Sequence, residues 1–286
     1  LPIGSYIKSL LQKKLSKERL DILLVKQNLC DSRSLAQKLI RAGKVKVKQQ
    51  IIDKPGTEIE ATEIIEVEKR QPYVSRGGEK LAKALEIFPI TIKERICLDG
   101  GISTGGFTDC LLQAGAKKVY GVDVGYGQVA WKLRQDPRLV LRERTNFRYL
   151  TSQELSGEET PPDLGVMDLS FISLTKVLPT LWDLLSLPKE VILLVKPQFE
   201  VGKAKVGKKG VVRNPQDQAE AIFQVLQLAQ KIGWQYQGLT YSPLTGPAGN
   251  IEYLLWLKVN PMSQLPAPSL VEIEQIAQQA IAELIR

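Results

Sequence analysis

Apolar positions along this chain change period several times, and the changes divide it. Leu20, Leu23 and Leu24 fall at helical spacing and predict a first helix over 17–28. Asp31 or Ser32 stands where a helix cap is expected. Leu35, Ala36, Leu39 and Ile40 predict a second helix, which Gly43 ends. Val45-Lys46-Val47-Lys48 then alternates as a strand does, and 51–68 predicts further short strands around the turn Lys54-Pro55-Gly56. This pattern marks off an extension over 1–16, a small α+β domain over 17–69 and a polar linker over 70–74. From residue 75 onward strands and helices alternate, the mark of a parallel sheet. Helices are expected around Lys80 and over 107–114 and 215–232. Strands are expected over 96–99, 119–123, 165–168 and 191–196 and near Val140. Two late strands, 235–241 and 251–259, pair antiparallel to each other. An amphipathic helix over 266–286, with Leu270, Ile273, Ile276, Ala280 and Leu284 on one stripe, lies on the domain surface.

Composition narrows the chemistry. The 286 residues are 43% hydrophobic, enough for one large or two ordinary domains with real cores. The chain has no histidine, which excludes Ser-His-Asp and Cys-His catalysis and every histidine-containing zinc site; no metal is expected. Cys30, Cys97 and Cys110 form no CxxC pair and read as buried free thiols in a reducing cytoplasm. No apolar run approaches the roughly 18 residues that span a bilayer, so no membrane partner is expected. The net charge is +8, and residues 1–48 hold twelve Lys/Arg against three Asp/Glu. That asymmetry reads as an N-terminal module that meets a polyanion, or as a solvated basic surface.

The second domain carries the candidate chemistry. Asp99-Gly100-Gly101-Ile102-Ser103-Thr104-Gly105-Gly106-Phe107 follows an apolar strand and opens a helix, the arrangement of a nucleotide-binding crevice. Asp123 ends the next strand, where a carboxylate commonly accepts from ribose hydroxyls. The spacing is not that of a dinucleotide fingerprint, and a glycine-rich connection without a ligand would share part of it. Four further motifs are Ser75-Arg76-Gly77-Gly78-Glu79-Lys80-Leu81, Asp168-Leu169-Ser170-Phe171, Leu194-Val195-Lys196-Pro197 and Asn250-Ile251-Glu252-Tyr253. Singly, Lys80 reads as a solvent-facing helix lysine and Lys196 as a strand-end lysine in water. Jointly they put two lysines and two carboxylates beside a nucleotide-type pocket. Such a set suits methyl transfer from a sulfonium to a weakly acidic ribose hydroxyl, which needs in-line alignment and removal of a proton.

These motifs resemble known families. Arg19-Leu20-Asp21-Ile22-Leu23-Leu24-Val25, Ser32-Arg33 and Leu39-Ile40-Arg41-Ala42-Gly43-Lys44-Val45-Lys46-Val47 resemble the S4 RNA-binding domain. The resemblance implies that Arg19, Arg33, Arg41, Lys44 and Lys46 face structured RNA, where Lys and Arg neutralise phosphates. The glycine turn is similar to motif I of the FtsJ-like, S-adenosylmethionine-dependent ribose methyltransferases. This implies a Rossmann-like α/β domain with a mostly parallel seven-stranded sheet. By position, Asp99, Gly101, Ser103, Gly105, Gly106 and Phe107, with Thr104 among them, would line the methionine side, Asp123 the ribose and Asn146 the adenine. Gly100 stands in place of the usual apolar residue, whose side chain would point away from the ligand. The Lys-Asp-Lys-Glu tetrad of that group falls on Lys80, Asp168, Lys196 and Glu252. Lys196 is then the base or hydrogen-bonding partner of the acceptor oxygen, and Asp168 and Glu252 orient the amines. The pairing of these two domains, with Asp168 to Leu174 and Val195 to Glu200, resembles the TlyA (hemolysin A) family. The resemblance implies 2′-O-methylation of a cytidine in ribosomal RNA of the small subunit, the large subunit or both, by a cytoplasmic protein that is monomeric when free. One alternative is a non-catalytic, S4-guided ribosome-assembly or RNA-binding factor, against which the intact tetrad argues. Another is a pore-forming haemolysin, for which no span or β-barrel repeat is visible. The basic segment 201–213 reads as a loop that closes over RNA or as a solvated loop.

Overall fold

The computed structural model describes residues 17–68, 71–259 and 265–285. The expected extension 1–16 and residues 69, 70 and 286 of the expected elements lie outside the described residues. The chain divides into two compact units between residues 70 and 71.

In the first unit, β1 (Lys17–Arg19) leads into α1 (Leu20–Lys26), and α2 (Arg33–Arg41) follows. The expected helix over 17–28 is therefore shorter. Its first residues pair antiparallel with β4 (Glu58–Glu60), Glu18 opposite Ile59, because a strand partner satisfies their backbone as a free helix end would not. Ser32 is the cap of α2 and accepts from the Leu35 N–H. Gly43 closes that helix at φ +68°, a conformation that glycine adopts without Cβ strain. A second small sheet orders β3 (Gln50–Ile51), β2 (Val45–Val47) and β5 (Ile65–Val67). Leu20, Leu23, Leu24, Ala36, Ile40, Val45, Val47 and Ile65 form this unit's own core.

The second unit is a three-layer α/β domain. Its seven-stranded sheet runs β11 (Gln235–Tyr241), β12 (Tyr253–Lys258), β10 (Glu190–Val195), β9 (Leu164–Met167), β6 (Ile96–Gly100), β7 (Lys118–Val122), β8 (Leu139–Arg142). Six strands run in one direction, and five of them, β10 through β8, form a contiguous parallel block. Only β12 opposes its neighbours, β10 on one side and β11 on the other. The order reverses between β6 and β9, and in open α/β sheets ligands bind at that switch point, beyond the strands' carboxyl ends. The inner strands are apolar on both faces, as a covered sheet requires. Leu193, Val195, Tyr253 and Leu255 belong to one core layer, and Ile192, Leu194, Leu254 and Trp256 to the other.

Three helices position the site. α3 (Gly77–Ile87) carries Lys80, α4 (Gly106–Gln113) follows the glycine turn, and the long α9 (Pro215–Ile232) packs against the strands of the antiparallel edge. The last helix, α10 (Leu270–Leu284), lies on the domain surface as expected, with Ile273, Ala277 and Ala280 of its apolar stripe buried in the larger core layer. Shorter helices of this unit are α5 (Trp131–Arg134), α6 (Ser152–Leu155), α7 (Leu178–Leu184) and α8 (Pro197–Glu200).

Candidate active site

Two cavities open side by side above the switch point. The larger, about 450 Å³, is lined by residues following β6, β7, β8 and β9, among them Gly101, Ser103, Asp123, Asn146, Asp168 and Phe171. The smaller, about 260 Å³, is lined by Lys80, Thr104, Gly106, Phe107, Lys196 and Glu252, with Arg76 and Thr245. Gly101, Ser103, Asp168 and Ser170 border both. A ligand in one therefore touches the wall of the other.

The four residues of the expected tetrad meet at the smaller cavity as two ion pairs. The Lys80 ammonium donates to Glu252 at 2.5 Å. The Lys196 ammonium lies 2.6 Å from Asp168 and donates to the Ser170 hydroxyl at 2.9 Å. Each comes from a different element: Lys80 from the first turns of α3, Asp168 just beyond β9, Lys196 just beyond β10, and Glu252 just before β12. Antiparallel β12 makes this possible, because its amino end lies beside the carboxyl end of β10, with Val195 opposite Tyr253. Neither lysine faces solvent as it would alone: Lys80 is 8% exposed and Lys196 7%. Burying an ammonium without its carboxylate would be strongly unfavourable, so each pair depends on both partners.

Packing of small residues sets the position of Lys80. A Cβ on Gly106 would lie 2.8 Å from the Gly78 nitrogen and 3.1 Å from the Gly77 Cα, and one on Gly78 would overlap the Tyr73 ring. The glycine pair before Glu79-Lys80 thus lets α3 start directly against α4. Tyr73 and Val74 are part of the same joint, since the Val74 N–H donates to Asp109 of α4 at 2.8 Å. Gly101 has φ +87°, and a Cβ there would lie 2.5 Å from the Asp168 carbonyl oxygen, so glycine is required where β6 and β9 approach.

The expected cofactor residues separate into three groups. Gly101, Ser103, Asp123 and Asn146 line the larger cavity. Thr104, Gly106 and Phe107 border only the smaller one. Asp99 and Gly105 line neither. Asp99 is fully buried behind the turn, where it accepts from the Thr108 hydroxyl at 2.7 Å while its Oδ1 has no partner. Burial pushes its carboxyl up to about 7. Asp99 thus stands behind the turn, one layer from the cavities, and the chain turns only at Gly101. Gly105 is the left-handed cap of α4, φ +96°, packed on Leu133. Asp123 holds the turn from outside, accepting from the Ser103 N–H at 2.8 Å and the Gly125 N–H at 2.7 Å. Asn146 accepts from the Arg148 N–H at 3.1 Å and so shapes the far wall.

On the first unit, Arg19 and Arg33 converge on Asp21, a residue that the sequence reading left without a role. The buried Asp21 carboxylate accepts from Arg19 Nε and Nη2 and from Arg33 Nε, each at 3.0 Å, and from Gln37 at 2.7 Å. Arg19 foremost holds this carboxyl well below the usual range. Both guanidinium groups stay about half exposed. Lys44 pairs with Glu68 at 2.7 Å, and Lys44 and Lys46 border one shallow depression with Glu66. Arg41 is exposed at the end of α2. The signal for Asp21 was its place beside Arg19, twelve residues before Arg33.

A sequence profile of the FtsJ-like methyltransferases matches residues 73–259, and one of the S4 domain matches 18–65. The 16S/23S rRNA (cytidine-2′-O)-methyltransferase TlyA of Mycobacterium tuberculosis is 47% identical over 93% of this chain and 98% of that protein. The chain belongs to the TlyA family. Hemolysin A of Brachyspira hyodysenteriae, a further relative, is 41% identical over 82% of this chain and 98% of its own length. A solved structure from Streptococcus thermophilus, described as a "putative hemolysin", superposes with a TM-score of 0.71 at 40% identity and covers 93% of this chain and 96% of that one. The methyl donor of this FtsJ-like family is S-adenosylmethionine. The larger cavity fits it: its volume is that of a small-molecule site, and it joins the carboxylate of Asp123 to an apolar wall of Val124, Phe147, Leu169 and Ile172. The glycine at 101 also lets a ligand approach the backbone where the two cavities meet. Among the described residues of this TlyA-family chain, no cluster of metal-ligating side chains occurs, and no helix is long and apolar enough to cross a membrane.

Proposed function

We propose that this protein 2′-O-methylates a cytidine ribose in ribosomal RNA, with S-adenosylmethionine in the larger cavity and the acceptor ribose in the smaller. The observation that carries this reading is the pair of buried Lys–carboxylate contacts on the smaller cavity, which shares Gly101, Ser103, Asp168 and Ser170 with the larger. The donor supplies an electrophilic methyl on a sulfonium. Asp123 accepts from the donor's ribose hydroxyls, since each of its oxygens has a second lone pair beyond its backbone bond. Asn146 and the apolar wall hold the adenine end. Lys196 has three N–H directions; Asp168 and Ser170 take two, and the third meets the acceptor oxygen. Lys80, held by Glu252, fixes the other side of the ribose. The relative from Mycobacterium tuberculosis, whose name states 16S and 23S rRNA, supports ribosomal RNA as the substrate. Arg19, Arg33, Arg41, Lys44 and Lys46 supply phosphate contacts from the S4 domain, the positioning part of the recognition.

The deciding experiment is transfer of labelled methyl from S-adenosylmethionine to purified small and large ribosomal subunits, wild type beside Lys196→Ala. Label in RNA with wild type, falling about 10²–10⁴-fold in the variant while donor binding persists, is the expected result. Label on neither subunit, with RNA binding intact, would favour an assembly factor without turnover. The pH profile of single-turnover transfer separates the two roles of Lys196. A unit slope on the acid side marks proton abstraction, and a flat profile marks positioning.

A further inference from the structure

We propose that Glu200 is a positioning residue of the reaction: it fastens the loop that carries Asp168 and Ser170 to the segment that carries Lys196. The proposal rests on the reading of Asp168 and Lys196 as the reacting centre. Two motifs that the tetrad does not account for, Ile172-Ser173-Leu174 and Gln198-Phe199-Glu200, meet at this point. Glu200 accepts from the Ser173 hydroxyl at 2.5 Å through one oxygen and from the Leu174 N–H at 2.9 Å through the other. Ser173 in turn contacts the Thr175 hydroxyl at 2.6 Å and caps the 3₁₀ turn Leu174–Lys176.

The loop 168–173 is therefore tied to one short segment at both ends. At its start Lys196 holds Asp168 and Ser170; at its finish Glu200, four residues after Lys196, holds Ser173 and Leu174. Between the two ties the backbone is strained, with Phe171 at φ +64°, a conformation uncommon for a bulky residue. Phe171 is 90% exposed, and its ring lies 5.3 Å, between centroids, from that of Phe199 of the same segment. A residue held in this way stays put only when its surroundings over-determine it. The far end of the loop, beyond reach of the Lys196 contacts, is held by the burial of Leu174 and by the two Glu200 bonds. Burial pushes the Glu200 carboxyl up, while the bonds from Ser173 and Leu174 pull it down. A half-buried carboxylate in that position is retained for what it binds. Here it binds the far end of the loop, and a small displacement at a reacting centre lowers the rate steeply.

The test compares wild type, Glu200→Ala and Glu200→Gln in the full-length protein, with Lys196→Ala as reference. Hydrogen exchange of the peptide covering 168–176 is read first, without any reaction. Single-turnover methyl transfer to ribosomal subunits is read second. In Glu200→Ala we expect faster exchange confined to this peptide and single-turnover transfer, at saturating donor, slowed about 10–100-fold. Glu200→Gln keeps an oxygen for the Leu174 N–H, and its exchange and rate should return close to wild type. Unchanged exchange in Glu200→Ala overturns the tie. Faster exchange with an unchanged rate overturns its role in positioning, as does a rate loss that Gln does not rescue. If exchange changes as expected but Lys196→Ala transfers methyl as wild type does, the reading of the reacting centre fails while the tie stands.

Discussion

Asp99 is the residue whose environment makes the sharpest demand. Its carboxyl is fully buried and pushed up to about 7, from an unfolded value of 3.8. The folded protein therefore holds a proton here that the unfolded chain releases above pH 3.8. Stability from this group is full below that pH and declines as pH rises to about 7, by about 1.4 kcal/mol per unit. Asp99→Asn keeps an oxygen for Thr108 and removes the titration. Urea unfolding at pH 5 and pH 8 should show the variant gaining on wild type at the higher pH, and equal differences at both would refute this. Gly106→Ala makes the opposite demand, for space. Its Cβ would force α3 and α4 apart, and we expect a loss of about 1–3 kcal/mol of unfolding free energy. That Lys80, Asp168, Lys196 and Glu252 meet was legible only from the joint motif match, since each lysine alone reads as solvated. The burial of Asp99 behind the turn was not legible, because a motif gives the order of residues and not the side of the turn each one faces. At Gly100 the expected direction, away from the ligand, agrees with the packing. A Cβ there would lie 2.5 Å from Met167 Cε, so a neighbouring side chain already fills the space expected for its own.

Elements read from periodicity held best where the period was long. The span expected for α9 is the observed Pro215–Ile232, with its proline at the start and Gly233 as the C-terminal cap. Strands buried on both faces were legible as apolar runs. The opening strand β1 was not, since Lys17–Arg19 carries no alternation and is fixed only by β4, about 40 residues later in the chain. The basic segment 201–213 was expected to be a loop, and side chains elsewhere decide how it is held. Buried Asn250, two residues before Glu252, accepts from the Val212 N–H at 2.9 Å and donates to the Gly210 carbonyl at 2.8 Å. Gln218 of α9 donates to the Val212 carbonyl at 2.7 Å and receives the Tyr253 hydroxyl. Lys205 pairs with Asp217 and Glu220, which leaves Lys203, Lys208, Lys209 and Arg213 as the candidates for RNA. Asn250→Ala strands a buried N–H and a carbonyl, and should cost about 1–3 kcal/mol. Its hydrogen exchange should accelerate over 207–213 and leave α4 unchanged.

Across the whole molecule, charge and hydrophobic mass are divided between the units. The balance of +9 over residues 1–48 belongs to the first unit, and its core shares no residue with the two layers of the second. A fragment of residues 71–286 should therefore unfold cooperatively and bind S-adenosylmethionine, while its affinity for ribosomal RNA falls. The fall should be largest at low salt, because phosphate contacts release counterions. Titrations at 50 and 200 mM salt check both points, and equal salt slopes for fragment and full chain would rule out the S4 domain as the electrostatic contact. This division was legible from the charge run and the change of period near residue 70. That the four motif segments share one pocket was expected too; that antiparallel β12 brings Glu252 beside the end of β10 was not, because a strand's partner is not written in its own residues. All three cysteines are buried, Cys30 in the first unit and Cys97 and Cys110 in the second. Burial pushes each thiol up, Cys97 to about 12 and Cys110 to about 11, so the native protein offers no reactive thiolate at neutral pH. Maleimide reacts with each sulfur only when its surroundings open. Brief labelling along a denaturant series, read by peptide mass, thus turns these three sulfurs into separate clocks for the melting of each half, with no engineered probe.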